Sequence, residues 1–87
     1  MCTYTTERIP VQGSAKGANG WFSPTMASVY YDHPVHAQAT HSLNIDFLAP
    51  EAGPGARVAL ELTAETARSL AAAIEAALAS VPVELLE

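Results

Sequence analysis

Cysteine is nearly absent: Cys2 is the only one in 87 residues. No disulfide can form within the chain, and a disulfide-stapled secreted scaffold is excluded. Basic residues are scarce too. Arg8, Lys16, Arg57 and Arg68 stand against nine acids, for a net charge of −5. The four are scattered, and a phosphate backbone needs a concentrated basic surface, so nucleic acid is not an expected partner. Long apolar runs are missing as well. The longest nearly apolar stretch, Leu70 to Val83, is broken by Glu75 and is too short to span a bilayer. The opening MCTYTTERIP lacks the basic start and apolar stretch of a signal peptide. The expectation is a cytoplasmic protein with no membrane contact.

A chain of this length makes one domain, residues 1–87, with a modest core. Small domains gain stability from disulfides, metals or association with another copy. With the first excluded, metal binding and self-association are the two routes to test against the pattern.

The clearest element is C-terminal. TAETARSLAAAIEAALAS, Thr63 to Ser80, is built from strong helix formers. Thr63 stands where an N-cap belongs, Glu65 complements the positive helix end, and Pro82 follows the last turn. Leu70, Ile74, Ala77, Leu78 and Val81 recur at helical spacing and predict a buried stripe. The alanines make the helix thin, which suits close packing on a sheet.

Upstream, the period changes from helical to alternating. In RVALELT, Val58, Leu60 and Leu62 point one way, and Ala59 and Glu61 the other. In THSLNIDFL, Leu43, Ile45 and Phe47 alternate with Ser42, Asn44 and Asp46. In TMASVYYDH, Val29 and Tyr31 alternate with Ser28, Tyr30 and Asp32. CTYTTERIPV reads as a first strand, with Pro10 near a sheet edge. APEAGPGAR, Ala49 to Arg57, is a proline–glycine loop, and GSAKGANG, Gly13 to Gly20, a flexible one. Trp21 and Phe22 are expected to re-enter the core. The predicted fold is α+β: an antiparallel four-stranded sheet, β-β-β-β-α, with one C-terminal helix on one face. The other face, with Ser28, Tyr30, Asp32, Ser42, Asn44, Asp46 and Glu61, is expected to meet water or another copy.

The candidate chemistry lies in DHPVHAQATH, Asp32 to His41, which holds all three histidines. Pro34 starts a turn there. Pairing His33 with His41 sets Tyr31 opposite Leu43 and Val29 opposite Ile45, which collects the apolar residues on one face. The two imidazoles then stand side by side, since opposed residues have Cβ atoms about 4.5–5.5 Å apart. His36, in the connection, is a third candidate ligand and Cys2 a fourth, softer one. Imidazole binds zinc, copper, nickel and iron, and three histidines with a vacant position suit a catalytic ion. Tyr31, beside them, is the candidate catalytic acid. Asp32 and Asp46 are candidates to orient an imidazole, although both fall on the opposite face. The competing reading is three polar residues around a turn. The spacing H-x2-H-x4-H is not the signature of a metal family.

Other chemistry is weaker. GxxKG around Lys16 lacks the strand and helix of a phosphate-binding loop. Cys2 paired with a histidine is a second, minor candidate for a nucleophile. Trp21, Phe22 and Tyr31 are candidates to line a pocket for a small-molecule ligand.

The blocks MCTYTTE, GSAKGANGWF, DHPVHAQATHSLNIDFL and RVALELTAETARSLAAAI resemble a family of small bacterial proteins of unknown function, from Met1 to about Ala79. The resemblance implies that Cys2, Lys16, Trp21 and the three histidines belong to one family pattern. It implies no activity. The functional expectation is a small metal-binding protein with a transition-metal ion held by His33, His36, His41 and Cys2. Whether it is an enzyme is open. The alternative is a non-catalytic module without metal that forms a homo-oligomer, a dimer first, or binds a small ligand.

Overall fold

The computed structural model describes residues 4–33 and 40–87. Strands β1 (Thr6–Pro10), β4 (Met26–Asp32), β5 (Ser42–Leu48) and β6 (Arg57–Leu62) form one antiparallel sheet in the order β1-β4-β5-β6. The helix α1 (Ala64–Ala79) follows β6. The fold is therefore α+β with a four-stranded antiparallel sheet, as the alternating periods require.

The register follows the hydrophobic pattern. Val29 opposes Ile45, Tyr31 opposes Leu43, and Leu43 and Ile45 oppose Leu62 and Leu60 on β6. A slip of one residue would turn the whole apolar set to the other face. The apolar face thus carries rows running from Ala27–Phe47–Val58 through Val29–Ile45–Leu60 to Tyr31–Leu43–Leu62.

Helix α1 starts as its cap predicts. Thr63 is extended (φ −67°, ψ 157°), and its Oγ1 accepts the Thr66 N–H at 3.1 Å. Ser80 caps the other end and Pro82 follows. The helix runs from the Leu62 end of β6 across the apolar face. Ala64, Ala67 and Arg68 lie near Tyr31 and Leu43; Leu70, Ala71 and Ile74 face Val29 and Ile45.

Three expectations fail here. First, GSAKGANG is not a flexible loop. It folds into a hairpin of β2 (Ala15–Gly17) and β3 (Gly20–Phe22), with Lys16 opposite Trp21. Gly20, at φ +104°, closes its turn in a region that other residues rarely enter. The hairpin also needs Gly17: a Cβ there would meet the Arg57 carbonyl at 3.2 Å, so the strand lies directly on the start of β6. Second, Trp21 does not re-enter the core. Alternation along so short a strand points it outward, 71% exposed, while Phe22 on the other side is half-buried.

Third, burial is inverted. No residue of α1 is buried, and Leu70, Ile74 and Leu78 of the expected stripe are exposed. Val81 is only half-buried and Ala77 is exposed. The large residues of the apolar sheet face are half-buried. Among the described residues the buried hydrophobics are Ala27 and Ala49, while Ser28, Ser42, Asn44 and Asp46 of the polar face are buried. Small side chains on a central strand are shielded by their longer neighbours. The helix, by contrast, covers only part of the apolar face.

Candidate functional site

The β4–β5 ladder ends at the pair Asp32–Ser42, so continuing the register brings His33 opposite His41. Their ring centroids are 4.6 Å apart with planes at 28°. Next in line is Tyr31, whose ring lies 6.0 Å from that of His41 at 10°, nearly parallel. Tyr4 follows at 6.4 Å from Tyr31. Four rings therefore run in series, His33–His41–Tyr31–Tyr4, at one end of the sheet. The hairpin architecture creates the juxtaposition: β4 and β5 present their first residues past the ladder side by side.

The His33 ring is oriented by backbone. Its Nδ1 lies 2.8 Å from the Thr40 carbonyl oxygen. A carbonyl can only accept, so this hydrogen bond calls for the tautomer with its proton on Nδ1. A backbone carbonyl on the far nitrogen is a usual support for a metal-binding imidazole. His33 is exposed and His41 half-buried, so the pair is open to solvent on one side.

The remaining candidates divide. His36 and Cys2 lie outside the described residues. Among the described residues no three metal-ligating side chains converge; His33 and His41 do as a pair. Asp32 accepts the backbone N–H of His33 at 2.7 Å. Asp46 is on the opposite face and engaged elsewhere. Lys16 and Trp21 are far from the imidazoles. Their hairpin lies on the Arg57 end of β6, whereas His41 adjoins the Leu62 end, about 17 Å along the strand at 3.3 Å per residue.

Among the described residues, Trp21 and Phe22 border one cleft and Tyr31 another. The first also takes in Asn19 and the Gly53–Ala56 loop, the second Leu43 and Ala64. Trp21 and Phe22 belong to the separate two-stranded β2–β3 sheet and Tyr31 to the four-stranded one.

Sequence reasoning did not reach two features. Tyr4 joins the ring series, and the signal was present: a β1 paired with β4 carries Tyr4 to the histidine end. The other is a polar network on the far face. Arg57 Nη2 and Nε donate to Asp46 Oδ1 at 2.8 and 3.2 Å, and the Tyr30 hydroxyl donates to Asp46 Oδ2 at 3.1 Å. Ser42 Oγ donates to Asn44 Oδ1 at 2.6 Å on the same face. Burial pushes the Tyr30 phenol up, its hydrogen bond to Asp46 and that carboxylate's charge add to this, and Arg57 offsets part of it. A phenolate there would face a carboxylate.

The model of a family of unknown function (DUF6295) matches residues 1–87, and the chain belongs to that family. No curated protein and no solved structure matches it. No helix among the described residues is long and apolar enough to cross a membrane.

Proposed function

We propose that this member of a family without a known activity is a small metal-binding protein, with His33 and His41 as the core ligands at the open end of β4 and β5. The observation that carries the reading is the pair of adjacent imidazoles, one with its Nδ1 engaged by the Thr40 carbonyl. Two nitrogens at 2.0–2.1 Å from one tetrahedral ion stand about 3.4 Å apart, a separation that rings with centroids at 4.6 Å can meet. His36 and Cys2 complete the proposed ligand set. Tyr31, stacked on His41, is the proposed acid or hydrogen-bond donor toward whatever the ion holds. A bound ion of this kind polarises an oxygen ligand or activates water. Zinc, copper, nickel and iron all accept such a set.

Elemental analysis of untagged protein purified without chelator tests this, beside a His33→Ala/His41→Ala variant. One transition-metal ion per chain, or per pair of chains, lost in the variant is the expected result. Metal-free protein that also fails to take up added zinc, copper, nickel or iron at stoichiometric ratio overturns the reading.

A further inference from the structure

The polar face of the sheet, away from α1, holds a cleft of about 270 Å³. A row across three strands forms its middle: the register sets Tyr30, Asn44 and Glu61 side by side. Asp46 and Arg57 stand toward one end of that row and Asp32 toward the other.

Two of these side chains are buried and held. Asp46, 9% exposed, accepts two bonds from Arg57 and one from the Tyr30 hydroxyl. Asn44, 6% exposed, is held from one side only. The Ser42 hydroxyl donates to its Oδ1 at 2.6 Å, and Ser42 is itself buried. That contact uses the carbonyl end of the amide and leaves the NH2 end. Among the described residues, this end has no hydrogen-bond partner. Among the same residues no polar side-chain atom is sealed from solvent without a partner, so the NH2 end opens into the cleft that Asn44 lines. A donor on a buried, fixed side chain is satisfied only by what enters there.

Charge adds a second requirement. Among the described residues the lining carries Asp32, Asp46 and Glu61 against Arg57. Arg57 and Asp46 are paired, so the charge of Asp32 and Glu61 remains, whatever else those two side chains touch. A cleft lined by one sign of charge draws ligands of the other. We infer that it binds a small organic ammonium that also carries an oxygen acceptor, such as an amino alcohol. The ammonium lies toward Glu61 and the oxygen accepts from the Asn44 NH2. The two residues are directly opposed, with Cβ atoms about 4.5–5.5 Å apart, so nitrogen and oxygen must be close neighbours in the ligand. The held amide and the Asp46 pair are set before the ligand arrives, which lowers the cost of ordering. No metal takes part.

The test is a titration of the isotope-labelled whole chain with 2-aminoethanol, read by amide nuclear magnetic resonance with chelator in every sample. The chelator keeps the result separate from any metal at the histidines. The Asn44 side-chain NH2 pair and the Glu61 backbone amide should shift and saturate, with a dissociation constant of about millimolar, as befits so few atoms. The Trp21 indole N–H, in another cleft, should stay in place. Two further probes each keep one handle: 1-propylamine has the charge and 1-propanol the oxygen. Both should bind at least tenfold more weakly. Glu61→Gln keeps the shape and should weaken 2-aminoethanol binding at least tenfold. Should that variant fail to fold, the three probes on the native chain decide alone. Absence of a saturable shift at Asn44 overturns the proposal. So does equal binding of 1-propylamine, which means general attraction to an acidic surface, and so does full affinity in a folded Glu61→Gln.

Discussion

Tyr30→Phe isolates one hydrogen bond without disturbing shape. The hydroxyl donates to Asp46 Oδ2, and Asp46 also accepts two bonds from Arg57 on its other oxygen. Hydrogen bonds to charged groups contribute about 1.5–3 kcal/mol. At 3.1 Å this one is long for an O–H donor, which places it near the low end. Asp46 keeps Arg57 after the change, so its carboxylate is not orphaned. The expected loss is therefore about 1.5 kcal/mol, measured by urea denaturation at fixed protein concentration. Arg57→Ala removes two bonds, but the guanidinium is half exposed, so solvent screening holds its loss to about 1–2 kcal/mol. The double variant should show coupling, because both donors share one carboxylate. The pH dependence gives a second check. The Tyr30 phenol is raised above the usual value, chiefly by burial. The folded state therefore holds that proton more tightly than the unfolded chain does. The corresponding stability is complete below about pH 10, the unfolded value, and is lost as pH rises through the higher folded one. Native protein should lose more stability than Tyr30→Phe across that alkaline window. Equal alkaline losses in the two proteins, or a cost below about 0.3 kcal/mol at neutral pH, would refute the reasoning.

Thr63→Ala removes the Oγ1 acceptor of the Thr66 N–H and should cost about 1 kcal/mol, read by circular dichroism during denaturation. Gly20→Ala must place a β-carbon at φ +104°, so the hairpin turn should lose about 1 kcal/mol or more; unaltered stability would refute the strain argument. Gly17→Ala should separate the hairpin from β6, visible as faster amide exchange at Lys16 and Trp21, since its Cβ would press on the Arg57 carbonyl and the Phe22 ring. Trp21→Ala, by contrast, should change stability by less than about 0.5 kcal/mol, because the indole is mostly in water.

The strands, their register and the helix cap were legible because each rests on a short-range rule. Period-two alternation fixed which of Val29, Tyr31, Leu43 and Ile45 share a face, and Thr63 with Pro82 bracketed the helix. The same register brought His33 beside His41. The hairpin at Ala15–Phe22 was not legible. Its strands are three residues each and rich in glycine, and nothing in their period separates them from a loop. Burial was misread for a different reason. A helical stripe such as Leu70, Ile74 and Leu78 says that a surface is apolar, but not which surface covers it. The polar face failed in the opposite sense: Ser28, Ser42 and Asn44 are small enough to be hidden by neighbours whatever their polarity.

The edges of the sheet bear on how such an exposed apolar face stays safe. The outer strand β1 is five residues long and carries Glu7, Arg8 and Pro10. At the other border the Ala15–Phe22 hairpin lies against the Arg57 end of β6. Charge and proline discourage strand addition on one side, and the hairpin obstructs it on the other. Among the described residues, sideways strand addition is thus hindered along β1 and at the Arg57 end of β6. The hydrophobic surface is left facing out of the sheet plane. Unlike an open edge, a surface facing out of the sheet plane offers no row of backbone donors and acceptors on which another strand could pair.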